Sequence, residues 1–143
     1  MPGYATAQYH AALHSLRTGI EPGETDPGTR TFSVASQTFD VPVEADSLLL
    51  SLWYYAVSSG GAGDTDSDSI MLVVEETAEV YDLVRLQYPQ NNQQTWVHAQ
   101  WNAGFLARFK GQRITLYVQT YNNGTDGSAA LYIDDVSLWA CQP

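Results

Sequence analysis

The sequence predicts an all-β chain, an antiparallel β-sandwich of the jelly-roll kind with about eight strands. Three observations predict it. Apolar and polar residues alternate at a period of two in segment after segment, whereas helical spacing is scarce. The segments are short and recur regularly, as in sandwiches and jelly rolls. Glycine, proline, asparagine and aspartate cluster between them, where turns need them.

The segments follow in order. Residues 9–16 (YHAALHSL) hold the clearest helical spacing, enough for one or two turns, and residues 16–20 (LRTGI) read as the first strand. Residues 30–39 (RTFSVASQTF) place Phe32, Val34, Ser36 and Thr38 on one face. Residues 47–57 (SLLLSLWYYAV) are apolar on both faces, as expected of a central strand, and Trp53 is assigned to the core with them. Residues 70–75 (IMLVVE), 79–87 (EVYDLVRLQ), 95–101 (TWVHAQW), 113–121 (RITLYVQTY) and 129–139 (AALYIDDVSLW) complete the set. Trp139 falls to the core or an edge.

The connectors carry turn chemistry. Residues 21–29 (EPGETDPGT) contain two Pro-Gly pairs, residues 58–69 (SSGGAGDTDSDS) are glycine-rich and then acidic, and residues 89–94 (PQNNQQ) form a polar loop. Residues 122–128 (NNGTDGS) hold Asn-Gly and Asp-Gly, the strongest short hairpin signals. Residues 103–110 (AGFLARFK) are expected as a short turn or 3₁₀ segment.

Composition narrows the function. The chain has 143 residues, read as one β-sandwich domain over residues 1–143, a fragment of a larger secreted protein. Acidic residues number 16 against 6 basic, a net charge of −10. Nucleic acid and anionic membrane surfaces are excluded as partners, because phosphate binding needs clustered Lys and Arg. Cations, neutral polar ligands and sugars remain. Lys110 is the one lysine, and the wealth of Thr, Ser, Gln, Asn and Tyr suits an extracellular or cell-surface location. Cys141 is the one cysteine, which excludes an intrachain disulfide and a multi-cysteine metal site. The first twenty residues carry no signal-peptide pattern, and no run of about 18 apolar residues is present to insert in a membrane as a helix.

Four pieces in order carry a resemblance: SQTFDVP from Ser36, LSLWYY from Leu50, Trp96 followed by FLARFKGQRITL from Phe105, and LYIDDVSL from Leu131. Together they resemble the galactose-binding-like jelly-roll domains of secreted bacterial proteins. That group includes carbohydrate-binding modules and C-terminal accessory domains of secreted enzymes. The resemblance covers about residues 13–139 and implies the fold more firmly than the ligand. It also implies a structural calcium at Asp134, with carbonyls around Ser15. One departure stands out. Such domains begin with a strand carrying an Asn-Gly-x-Phe-Glu motif whose glutamate helps hold the calcium, and no such segment precedes Leu13. A trimmed or absent first strand would leave an open edge able to accept a strand from another chain.

Strand alternation puts Tyr132, Asp134, Val136 and Leu138 on one face and Asp135 on the other, so the two aspartates are separated. An uncompensated carboxylate at Asp134 would cost several kcal/mol, on the order of those for buried ions, and either calcium or backbone amides and arginine could compensate it. Asp64, Asp66, Asp68 and Glu75 imitate the spacing of a calcium loop, but Ser69 stands where glycine is needed and the flanks are not helical. That loop is read as solvated. His10 and His14 lack a third ligand, and His98 is read as a surface residue. Tyr88, Trp96, Trp101, Tyr117 and Tyr121, with the nearby amides of Asn91 and Gln93, form the candidate ligand surface, since sugars stack on aromatic rings and bond to amides. Ordinary packing is the alternative for each ring. No nucleophile elbow, phosphate loop or zinc-protease motif is present, and carboxylate spacing across a cleft is not legible in sequence. The expectation is a non-catalytic carbohydrate-binding module that targets a parent protein to glycan. The alternative is a structural or protein-interaction domain used for adhesion or spacing.

Overall fold

Side chains alternate across a strand, so each strand donates every second residue to the space between two sheets. The computed structural model describes residues 1–11 and 13–141. Their strands are β1 (Gly3–Ala5), β2 (Ser15–Gly19), β3 (Thr31–Asp40), β4 (Ser47–Ser58), β5 (Ser67–Val74), β6 (Val80–Gln87), β7 (Trp96–Trp101), β8 (Arg113–Asn122) and β9 (Ala129–Cys141). A four-residue helix, α1 (Ala103–Leu106), and a 3₁₀ turn over Ala107–Phe109 lie between β7 and β8, as the sequence predicts. Two antiparallel sheets pack face to face. The first has the order β1-β2-β9-β4-β7 and the second β3-β8-β5-β6.

The core follows from the alternation. Leu48, Leu50, Leu52, Tyr54 and Ala56 of β4 face Ile70, Leu72 and Val74 of β5 and Ile114, Leu116 and Val118 of β8. Leu131 and Ile133 of β9 join them, and Leu106 and Phe109 close one end. Burying each such side chain contributes about 1.5–3 kcal/mol. Across this layer the Thr18 and Thr120 hydroxyls bond at 2.7 Å and join the two sheets without an unpaired buried oxygen between them.

Several expectations change. An N-terminal strand is present: β1 pairs with β2 from Gly3↔Arg17 to Ala5↔Ser15 and occupies the edge that the sequence left open. The expected helical turn over residues 9–16 includes Ala12, which lies outside the described residues. Its described part holds no helix, and Ser15 and Leu16 belong to β2. The Asn-Gly and Asp-Gly loop does not close a hairpin, because β8 and β9 lie in different sheets. The Asn122 side chain replaces the missing ladder partner by accepting from the Ala129 N–H at 2.6 Å and donating to its carbonyl at 3.2 Å.

Trp53 is not in the sandwich core. The core-facing residues of β4 are the even-numbered ones, so Trp53 points outward and is half-buried. The last strand is likewise reversed from its expected register: Leu131 and Ile133 face the core, while Tyr132 and Asp134 face out. A bulge follows, where Ser51 pairs Ser137 but Trp53 pairs Asp134, leaving one extra residue on β9. Asp135 sits there with φ 50°.

Gly19 shows how tightly the sheets approach. Its φ is +86°, and a Cβ there would lie 2.3 Å from the Ala129 carbonyl oxygen and 2.6 Å from Thr120 Cγ2. Gly19→Ala is expected to lose about 2–5 kcal/mol in urea unfolding, from the left-handed backbone and the clash together. A loss below about 0.5 kcal/mol would contradict this geometry.

Candidate functional site

The outer face of the first sheet gathers aromatic rings. Pairing of β4 with β7 sets Tyr55 opposite Trp96, Trp53 opposite His98 and Ser51 opposite Gln100. His98 stacks on Trp53 at 4.6 Å and its ring nitrogen bonds Ser51 Oγ at 2.9 Å. His10, from the segment between β1 and β2, stacks on Trp53 at 3.8 Å and meets Trp96 edge-on at 5.8 Å. The bulge aims both aspartates at this segment. Asp134 Oδ2 accepts the His10 N–H at 2.9 Å and the Ala11 N–H at 3.1 Å, and its Oδ1 accepts the Asp135 N–H at 2.8 Å. Asp135 Oδ2 pairs with His10 Nδ1 at 2.9 Å. The aspartates are thus joined through one residue instead of being parted by alternation. Tyr132, Ala130 and Ala5 form a small buried cluster beside them, with Tyr55, Val57 and Trp96 packed against it. The rings of this face hold the N-terminal segment in place.

The outer face of the second sheet is more polar and more open. Pairing puts Phe32 opposite Tyr121, Val34 opposite Gln119 and Ser36 opposite Tyr117. On the other side, Ser67 faces Tyr121 and Gln87, and Ser69 faces Gln119 and Arg85. Phe32 is 66% exposed and lies 4.9 Å from the Tyr121 ring. Tyr121 continues into a cleft of 320 Å³ at the loop end of this sheet, where Thr65, Asp66, Ser67, Gln87 and Gln90 also line the wall.

Beneath that cleft the acidic loop turns inward. Asp64, Asp66 and Asp68 are all buried, against the expectation of a solvated loop. The reason is parity: these aspartates continue, at a period of two, into the core residues Ile70, Leu72 and Val74. Asp64 is fully engaged, accepting the Asp66 N–H and the Ser58 hydroxyl, each at 2.8 Å. Asp66 Oδ1 accepts the Asn123 N–H at 2.7 Å, and Asp68 Oδ2 accepts the Tyr88 hydroxyl. Asp66 Oδ2 and Asp68 Oδ1 are buried with no partner. Burial pushes the Asp66 carboxyl up to about 6, with the Asp64 charge adding to it and the Asn123 amide opposing. Burial pushes Asp68 up to about 7, against the Thr120 and Tyr88 hydroxyls. The Tyr88 phenol is raised too, by burial and then by the Asp68 charge.

The sequence-expected residues are divided by this arrangement. Tyr117 and Tyr121 share the second sheet's open face. Trp96 stands on the first sheet, in the cluster that holds the N-terminal segment. Trp101 lies five positions from Trp96 in the same strand and so points the other way, against the sandwich core. Tyr88 is buried and belongs to the Asp68 pair. Asn91 accepts the Gln87 N–H at 2.8 Å within its own turn, and Gln93 is exposed in the same loop. Asp134 already faces amide partners, and Ser15, around which the carbonyl ligands are expected, pairs with Ala5 in the β1–β2 ladder. Carboxylate oxygens turned toward N–H groups are a poor donor set for a hard cation. Phe32, Gln87 and Gln119 stand on this face and the three aspartates beneath it outside the sequence expectation, although register and unbroken parity mark them.

The buried aspartates give a pH dependence of definite sign. Both bind protons more tightly folded than unfolded, where the ordinary value is 3.8. The folded chain holds the extra protons between about pH 4 and about pH 7, so in a chelator this contribution to stability falls as pH rises through that window. Asp68→Asn should flatten the decline in melting temperature relative to wild type, and parallel curves would contradict the burial of an ionisable group there.

Neither the family models nor the curated proteins match this chain. Solved structures do. A carbohydrate-binding module, TmCBM61, in complex with β-1,4-galactotriose, superposes with a TM-score of 0.58 at 11% identity, over 98% of this chain and 82% of that one. A structure of carbohydrate-binding modules from the β-sandwich superfamily gives 0.51 at 12% identity, over 97% of this chain and 52% of that one. The enzymatically active domain of bacteriophage CBA120 tailspike protein 4 gives 0.51 at 13% identity, over 98% of this chain and 17% of that one. By backbone course, the chain shares with these structures the fold of two packed antiparallel sheets, a β-sandwich.

Proposed function

We propose that the chain is a non-catalytic carbohydrate-binding module that carries a parent secreted protein to glycan outside the cell. The second sheet's outer face is its binding surface. One observation carries the reading: Phe32, Tyr121 and Tyr117 stand on a single open face among Gln119, Gln87 and Arg85, and that face runs into a polar cleft. Sugars present C–H faces that pack on such rings and hydroxyls that bond to amides and guanidinium. Tyr117 and Tyr121 are four residues apart on one strand, about 13 Å. That span suits a short oligosaccharide better than a single sugar.

The alternative is a structural or protein-interaction domain, and the first sheet favours it. There the aromatic rings are spent on the N-terminal segment, as in a domain whose rings serve stability. The calcium implied at Asp134 and Ser15 belongs to either reading, and binding it there would require the His10 and Ala11 amides to turn away.

The two readings separate in a glycan-array screen followed by affinity electrophoresis. Tyr121→Ala and Tyr117→Ala should each weaken glycan binding about tenfold or more, about 1.4 kcal/mol, with little change in melting temperature. Trp101→Ala should lower the melting temperature and leave binding by the folded fraction unchanged. Absence of binding to any glycan, or full binding by both tyrosine variants, would defeat the carbohydrate reading at this face.

A further inference from the structure

We propose that the acidic loop beneath the second sheet's cleft binds a hard divalent cation of the calcium type, with Asp66 Oδ2 and Asp68 Oδ1 as its anionic ligands. Each of these carboxylates already uses its other oxygen, on the Asn123 N–H and the Tyr88 hydroxyl. Each residue is 1% exposed, and the remaining oxygen of each is buried without a hydrogen bond, the Thr120 hydroxyl beside Asp68 being bonded to Thr18 at 2.7 Å. A buried carboxylate oxygen left unpaired carries a penalty that native structures seldom bear unless an ion or a proton removes it. No ion pair among the described residues reaches either aspartate, since the arginines that are paired serve Glu21, Glu24, Asp82 and Asp40.

The surroundings select the kind of ion. Asp66 lines the cleft, which gives access from solvent, and Asp68 follows two residues on along the same face, about 7 Å away. The cleft wall beside Asp66 carries oxygen-bearing side chains, Thr65, Ser67, Gln87 and Gln90. No imidazole or thiol lines the cleft, so zinc and copper are disfavoured. Among the described residues no three acidic, imidazole or thiol side chains converge on one point. The ion would take two carboxylates and complete its shell with neutral oxygens and water, as calcium's flexible coordination allows and magnesium's rigid octahedron resists. Asp64 is a positioning residue here. Both its oxygens are used, on Ser58 and on the Asp66 N–H, and they fix the turn that presents Asp66.

The proposal does not rest on glycan binding, and the metal is titrated with no sugar present. The full chain is stripped with EDTA, dialysed and titrated with calcium alone by calorimetry and by thermal melting. Terbium luminescence sensitised by tyrosine is read in parallel, Tyr88 and Tyr121 being the neighbouring donors. One ion per chain is expected, with a raised melting temperature and a terbium signal that calcium displaces. Asp66→Asn and Asp68→Asn should each weaken binding at least tenfold, and Asp134→Ala should keep it. Should Asp68→Asn not fold, Asp66→Asn at the cleft wall decides. No heat, no luminescence and no melting shift in wild type would overturn the proposal and leave protons as the neutralising partners. Unchanged binding in Asp66→Asn, or its loss only in Asp134→Ala, would overturn it as well.

Discussion

Strand β4 pairs with β9 from Ser47↔Cys141 to Ser58↔Ala129, broken only by the bulge at Asp135. The rest of the molecule is arranged around that ladder. Its inner face supplies the leucines and Ile133 that hold the second sheet. Its outer face supplies Trp53, Tyr55, Tyr132 and Asp134, which hold the N-terminal segment. The bulge makes the second role work. Asp135 in a left-handed conformation re-aims the strand, so that one carboxylate takes the His10 amide and its neighbour takes the ring. Without the extra residue the two side chains would lie on opposite faces.

Much of this architecture was legible because period-two alternation is imposed by the backbone itself. Each expected strand exists, and the short helix and 3₁₀ turn fall within residues 103–110. Failures arose where alternation alone does not say which parity faces in. The 47–57 segment is apolar on both sides because β4 has two covers, the opposite sheet and the N-terminal segment; sequence shows the apolarity but not the covers. Trp96 and Trp101 are alike in kind, but an odd spacing in one strand parts them. The charge of the acidic loop points to solvent, while its parity ties it to Ile70, Leu72 and Val74. The Asn-Gly and Asp-Gly signals describe local backbone freedom and cannot tell a hairpin from an arch between sheets. Asn122 makes the arch.

The same parity assigns the two outer faces different work. On the first sheet, aromatic surface is consumed by the chain's own segment, with histidine rings lying on Trp53. On the second, Phe32 and Tyr121 lie opposite each other, with Ser67 and Ser36 as the polar cross-strand neighbours of Tyr121 and Tyr117 and Met71 beside Tyr117. The aspartates beneath join this face to the core, because Asp68 meets Tyr88 behind the cleft that Tyr121 borders. Any change in the charge state of those carboxylates acts on the floor of the surface that faces solvent.

The β1-β2-β9 order of the first sheet has a mechanical consequence. Each of these neighbours is antiparallel, so β1 and β9 run in the same direction. Tension applied between Gly3 and Cys141 therefore acts along the strands. It loads the β1–β2 and β2–β9 hydrogen bonds in shear, many at once, instead of opening them one by one. The Thr18–Thr120 bond then anchors the loaded strand to the opposite sheet. A domain strung between other parts of a protein in this way would transmit load through its backbone ladder and leave the open face of the second sheet undisturbed.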